Sequence, residues 1–244
     1  MKTVWIIYTV ILVYYLLGTI GIYLINRRKE PDAKRKAWIK HINYFIITNI
    51  VFFSIAINPV VFRILAVLII AVGFAELFKL FRESGYNYRN FFLLSITLMA
   101  LLSAGFFFFS QMGKGVILFA FLILCIFDGF SQVSGQLFGK TKLFPKISPN
   151  KTVEGLVGGA LIALLSAFVF KDLIVAPQLN AILFAVVVVI FAFIGDTVKS
   201  IYKRKYNVKD FSNLIPGHGG FLDRFDSLIA GGAGIALLGL LLNF

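Results

Sequence analysis

Charged side chains are scarce in this chain. They make up 14% of its 244 residues, whereas the surface of a water-soluble domain needs roughly a quarter, so an ordinary soluble fold is excluded. Cysteine is scarcer still: Cys125 stands alone, inside an apolar run, and neither a disulfide nor a cysteine metal cluster can be built from it. No polar segment is long enough to fold as a domain of its own, and no internal repeat or low-complexity tract is visible. A P-loop is missing too, because no GxxxxGK[ST] stands between a strand and a helix.

What is abundant is hydrocarbon. Hydrophobic residues make up 59% of the chain and the mean hydropathy is +0.91. Several runs approach the roughly 20 residues that cross a ~30 Å bilayer core, without the alternation of barrel strands. The expected fold is therefore all-α, a polytopic membrane bundle of eight or nine transmembrane helices. Eight spans are read at 3–26, 43–60, 62–81, 91–110, 115–134, 155–171, 179–199 and 225–243, with 43–81 open to another division around Asn58-Pro59. The first span is expected to be retained rather than cleaved as a signal peptide, because its basic residues Arg27, Arg28 and Lys29 follow the apolar run and the run is too long. Residues 1–244 read as one membrane-embedded domain, with motif-poor helices in 1–110 and the chemistry in 111–244.

The formal charge of +13 raises the question of nucleic acid, but its distribution answers it. Lysine and arginine collect at 27–40, 79–89, 139–151 and 199–210 continuing to Arg224. With eight spans these four clusters fall on one side of the membrane, which the positive-inside rule makes cytoplasmic, with both termini outside. Topology and anionic headgroups account for 27–40 alone. Nucleic acid is not an expected partner; membrane lipid is.

Two polar segments hold more than topology requires. In FDGFSQVSGQLFGKTKLFPKISPNKTVEG, Asp128 lies near the cytoplasmic end of a span, where an ionisable group is expensive and points to function. Gly135 and Gly139 permit close backbone approach, and Lys140, Lys142, Lys146 and Lys151 supply charge for a phosphate. Ser148-Pro149 favours a turn, and Thr152 or Asn150 can cap the sixth span, with Glu154 in its first turn; that helix start is either an anion site or simply a capped end. In FIGDTVKSIYKR, Asp196, Lys199, Ser200 and Lys203 recur at helical spacing on one face with Arg204 close by, either as a local salt bridge or as part of a site. Asp223 and Asp226, three apart at the start of the last span, repel unless a cation or Arg224 relieves them. Together with Asp196 they make an oxygen-rich set suited to Mg²⁺ rather than zinc, and Asp128 is a fourth candidate. His218, among Gly217, Gly219 and Gly220, is either a turn residue or an acid-base group, and the glycines offer tight geometry and free amides to an anion.

The stretch SIYKRKYNVKDFSNLIPGHGGFLDRFD, 200–226, resembles the signature of the phosphatidate cytidylyltransferases, also called CDP-diacylglycerol synthases: S-x-x-K-R, four residues, K-D, then P-x-H-G-G-x-x-D-R-x-D. Ser200, Lys203, Arg204, Lys209, Asp210, Pro216, His218, Gly219, Gly220, Asp223, Arg224 and Asp226 all fit the pattern, and FGKTKLFPKISPNKTVEG is similar to a second block of that family. The resemblance implies cytidylyl transfer from CTP to phosphatidic acid, giving CDP-diacylglycerol and pyrophosphate. It implies Mg²⁺, with a second metal or K⁺ beside it, and a homodimer. Asp196, Asp223 and Asp226 match the metal-holding acids. Lys140, Lys151, Ser200, Lys203, Arg204, Lys209, Gly219, Gly220 and Arg224 are expected to contact phosphate, nucleotide or lipid, with His218 shaping the pocket. The chain departs from the pattern at Ser131-Gln132, where the family has Ala-Tyr, and at Gln136, where it has an arginine able to grip phosphate with two hydrogen bonds. Two competing readings are a CTP-dependent kinase of polyprenols or diacylglycerol and a non-enzymatic transporter or lipid-binding scaffold. The second predicts charges near mid-span, whereas these gather at one interface.

Overall fold

A computed structural model describes residues 2–27, 30–174, 178–212, 214–215 and 219–242. These form eight long helices: α1 (Lys2–Asn26), α2 (Pro31–Ile57), α3 (Pro59–Glu83), α4 (Arg89–Phe109), α5 (Lys114–Phe138), α6 (Val153–Phe170), α7 (Gln178–Lys205) and α8 (Leu222–Leu242). All eight are long and apolar enough to cross a membrane; the shortest spans, of 21 residues, reach about 31 Å. A ninth is absent among the described residues.

The break at Asn58-Pro59 follows from local chemistry. Proline cannot continue the helical hydrogen bonding of α2, but it suits the first turn of α3, where the Asn58 side chain accepts a 2.9 Å hydrogen bond from the Val60 amide.

Two boundaries differ from expectation. The basic segment 31–40 is not a loop but the first turns of α2: Pro31 opens the helix, Asp32 sits in its first turn, and the lysines and arginine that follow are good helix formers. α5 likewise runs past its expected end at 134, to Phe138. Only 139–152 leaves the helix, as an antiparallel hairpin of β1 (Lys142–Phe144) and β2 (Ser148–Thr152).

α8 is the axis of the packing. It is buried along almost its whole length, between α4 on one side and α7 on the other. Small residues permit the approach: a Cβ added at Gly232 would stand 2.7 Å from the Phe109 ring, and one at Gly234 2.6 Å from the Phe191 ring. In a membrane, where hydrophobic transfer gives helices no reason to associate, such close van der Waals packing is the main adhesive.

Three of the four basic clusters meet at one end of the bundle. Arg204 Nε donates to the Ile147 carbonyl (3.0 Å), Tyr202 Oη donates to the Leu77 carbonyl (2.9 Å), and Lys205 lies 4.3 Å over the Tyr88 ring. At the far end, the Lys114 ammonium closes on the Ala56 carbonyl, the exposed C-terminus of α2.

Candidate active site

The face of α7 that carries Asp196, Lys199, Ser200 and Lys203 turns toward α8, and its charges pair across the interface. Lys199 Nζ lies 2.9 Å from Asp196 Oδ1 on its own helix and 2.8 Å from Asp226 Oδ2 on α8, and donates at 3.3 Å to the Asp223 carbonyl. Lys151, from β2, reaches Asp196 Oδ2 at 2.7 Å and donates to Thr197 Oγ1 at 3.1 Å. The result is a ladder of alternating charge, Lys151, Asp196, Lys199, Asp226, built from a hairpin and two helices. The local salt bridge expected from the sequence is present, and it is one link of a wider charge network that joins the hairpin, α7 and α8.

Asp223 belongs to a separate group. Oδ1 takes Lys203 Nζ at 2.5 Å, while Oδ2 accepts the Phe211 and Gly220 amides, each at 3.0 Å. Asp223 and Lys203 are buried, and a buried carboxylate is tolerable only when its oxygens are paired and hydrogen-bonded, as those of Asp223 are. The sequence places Asp223 among the metal ligands; in the structure its oxygens hold together the turn that precedes α8.

Asp226 is different. Its Oδ2 is buried and accepts no well-directed hydrogen bond, so the 2.8 Å approach of Lys199 is a charge contact rather than a directed bond. Asp128, on α5, lies within electrostatic reach of Asp196, Asp226, Lys199 and Lys151. Among the described residues no group of three or more acidic, histidine or cysteine side chains is placed to hold a metal ion. Between Asp196 and Asp226 the Lys199 ammonium provides the positive charge.

The capping expected at the α6 start is present. Thr152 Oγ1 accepts the Gly155 amide at 3.1 Å, and the Glu154 carboxylate accepts the amides of Lys140 and Thr141, both at 3.1 Å. Glu154 thereby holds the turn from which Lys140 projects. Lys140, Lys142 and Lys146 are exposed at the rim, as are Lys209 and Arg224.

Four of the expected ligand-contact residues, Ser200, Arg204, Gly219 and Gly220, are already engaged. Ser200 Oγ donates to the Asp196 carbonyl within its own helix (2.8 Å) and is buried, because a serine inside a helix finds that acceptor first. Arg204 bonds the Ile147 and Val208 carbonyls and so latches the hairpin to the end of α7, leaving only part of its fork for a phosphate. The Gly219 and Gly220 amides are not free: the former donates to the Ile215 carbonyl (3.1 Å), the latter to Asp223. Their geometric role stands. Gly219 has φ +86°, and a Cβ at Gly220 would lie 2.7 Å from Phe211 Cβ and 2.8 Å from Glu76 Oε1. His218, with Pro216 and Gly217, lies outside the described residues. Gln132 and Gln136 are exposed on the last turns of α5, while Ser131 Oγ is buried against α6 without a hydrogen-bond partner.

One residue escapes the sequence reading. Glu76, on α3, is 3% exposed and accepts hydrogen bonds from Ser212 Oγ (2.5 Å), Phe221 N (2.9 Å) and Leu222 N (2.7 Å). The signal was available in AVGFAELF: a carboxylate in an apolar run is as conspicuous as Asp128.

One groove of about 470 Å³ lies on the outer face of α5 and α6 along Phe138, Val157, Gly158 and Leu161, and another of about 410 Å³ lies beside Tyr88, Arg89 and Lys205. Neither is lined by a ladder residue. The first is walled mainly by apolar side chains, and the second is flanked by the cations Arg89 and Lys205.

Residues 106–242 match the cytidylyltransferase family. Over 120 residues the chain is 47% identical to the phosphatidate cytidylyltransferase of Staphylococcus saprophyticus, covering 48% of this chain and 46% of that protein. It is 43% identical over 121 residues to that of Bacillus subtilis, covering 49% and 45%. With that of Staphylococcus epidermidis it shares 38% identity over 170 residues, covering 66% and 64%. The chain thus spans about half the length of the first two relatives and somewhat less than two thirds of the third.

Proposed function

The chain belongs to the cytidylyltransferase family, and from that premise we propose that it transfers the cytidylyl group of CTP to phosphatidate at the cytoplasmic membrane surface, forming CDP-diacylglycerol and pyrophosphate. A phosphatidate oxygen is anionic at neutral pH, so it attacks the α-phosphorus without a protein nucleophile or a strong base. The new bond joins that oxygen to the α-phosphorus, and the bond from the α-phosphorus to the bridging oxygen of the pyrophosphate breaks. Both reactants are anions. The protein's task is to neutralise and align them.

The observation that carries this reading is the ladder Lys151, Asp196, Lys199, Asp226 at the same end of the bundle as the exposed lysines of the hairpin. Lys151 and Lys199 supply fixed positive charge where two phosphates must meet. Lys140, Lys142, Lys146, Lys209 and Arg224 draw the nucleotide toward the rim. Asp223 and Lys203 hold the turn before α8, which sets the position of Asp226.

A divalent cation would be held by Asp226 and Asp196, the two carboxylates that Lys199 bridges, with substrate phosphates supplying its remaining oxygens. When bound there, Mg²⁺ supplies charge that stabilises the attacking and leaving oxygens. The dimer implied by the resemblance completes the proposal and is checked by cross-linking in membranes.

The test is product analysis. Purified protein incubated with labelled CTP, phosphatidate and Mg²⁺ should release pyrophosphate and yield labelled CDP-diacylglycerol; release of CDP instead identifies a kinase and overturns the proposal.

A further inference from the structure

Glu76 lies outside the ladder, yet it is among the most buried charged groups of the described residues. It comes from α3, far from the motif-bearing segment in sequence, and its carboxylate sits at the start of α8. Resting on the cytidylyl-transfer reading, we infer that Glu76 is a positioning residue for the reaction: its carboxylate fixes the first turn of α8 and so sets where Asp226 faces the ladder.

The first amides of a helix have no partner inside the helix and carry its positive dipole end. In a soluble protein water or the capping side chain satisfies them. Here the Phe221 and Leu222 amides are satisfied by Glu76, and the Gly220 amide by Asp223. Five donors of the segment between α7 and α8 converge on two carboxylates: Ser212 Oγ, Phe221 N and Leu222 N on Glu76, and Phe211 N and Gly220 N on Asp223. One carboxylate belongs to α8 itself. The other ties α8 to a different helix, whose register is held by the Tyr202 hydroxyl on the neighbouring Leu77 carbonyl.

Gly220 bears out how tight this arrangement is. A side chain there would meet Glu76 Oε1 at 2.8 Å and Oε2 at 3.0 Å, so the glycine leaves room for the carboxylate. Asp226 follows one turn after the amides that Glu76 holds. A small rotation of that turn moves Asp226 relative to Lys199, the contact on which the ladder depends. Glu76 touches no ladder residue, and its effect passes through the α8 backbone.

The substitution Glu76→Gln keeps the shape, but its NH₂ group faces a backbone N–H where an acceptor is required. In lipid nanodiscs, hydrogen exchange over 211–223 is expected to accelerate at least about 10-fold, with exchange in α5 and α6 unchanged, because only the local bonds are lost. In the same preparation kcat for CDP-diacylglycerol formation should fall at least about 10-fold while KM for CTP stays within about twofold, since Lys151 and the rim lysines are untouched. Ser212→Ala, which removes one donor and keeps the carboxylate, should give a smaller change in the same peptides and serves if Glu76→Gln does not fold. Unchanged exchange at 211–223, acceleration spread equally over α5 and α6, or local opening with unchanged kcat each overturn the inference. Should the unaltered protein form no CDP-diacylglycerol, the cytidylyl-transfer reading falls with the catalytic half of this one, and the exchange measurement alone decides whether Glu76 holds α8.

Discussion

Replacing Lys199 with methionine keeps most of the side-chain volume and removes the ammonium shared by Asp196 and Asp226. The Lys199 and Asp226 side chains are 10% and 8% exposed, and Asp196 is 35% exposed. Taking one partner from a buried pair costs about 3–5 kcal/mol, chiefly because the other charge is left uncompensated. The Asp196 contact adds little to that figure, as it is partly solvated and Lys151 still serves it. For a chain of this size about 3 kcal/mol corresponds to a fall of at least about 6 °C in the unfolding midpoint. The assay is thermal unfolding of the detergent-solubilised protein, with EDTA and with Mg²⁺. In EDTA the variant should unfold well below the unaltered protein. Mg²⁺ should recover much of the loss, because a cation that binds only the folded carboxylates stabilises by mass action. A variant that melts with the parent refutes the ladder as a buried charge network. One that is destabilised but indifferent to Mg²⁺ refutes Asp196 and Asp226 as a cation site.

Asp226→Asn should abolish CTP turnover with the smaller loss of stability, since Lys199 keeps Asp196, whereas Asp223→Asn should lower the unfolding midpoint further, since it leaves Lys203 buried without its counter-ion; equal stability of the two variants, read by the same melt, contradicts the division of roles. Gly195→Val should reduce turnover although it lies outside the ladder, because a Cβ at 195 already meets Ala230 Cβ at 2.5 Å and the Asp226 carbonyl at 3.0 Å; unchanged activity of the folded variant counts against close packing of α7 on α8. Gln136→Arg is expected to alter acceptor use, measured as the ratio of kcat/KM for two phosphatidates, and no change in either value means the departure from the family pattern is neutral.

The parts of the fold that depend on near neighbours in sequence were legible from it. Helical periodicity put Asp196, Lys199 and Lys203 on one face, and the S-P-N-K-T-V-E-G stretch announced a capped helix because a threonine hydroxyl reaches only a few residues. The start of α2 was hidden because the lysines and arginines of 31–40 weigh against membrane burial while favouring a helix. The hairpin at 142–152 was hidden because Ser148-Pro149, expected as a turn, lies inside β2, and the actual turn at 145–147 does not reveal that the short strands flanking it pair. The partners of Asp223 and Glu76 were out of reach altogether, since no local rule relates residue 76 to residues 212, 221 and 222.

The opposed directions of α7 and α8 explain why two aspartates so close in sequence have different partners. Moving back along α7 by a turn moves the partner forward along α8 by about the same distance: Lys203 meets Asp223, Lys199 meets Asp226, Gly195 meets Ala230 and Phe191 meets Gly234. The upper contacts are ionic and the lower ones are apolar and tight, yet they share one register. A slip of a single turn would set Lys203 against Asp226 and drive the Phe191 ring into a different residue of α8. Neither half can therefore be optimised alone. The apolar packing holds the helices close enough for lysine to bridge carboxylates from both, and the ion pairs select one register among the several that smooth, small-residue helix faces would otherwise permit. The acidic face is specified as much by the glycines in the membrane as by the charges at its surface.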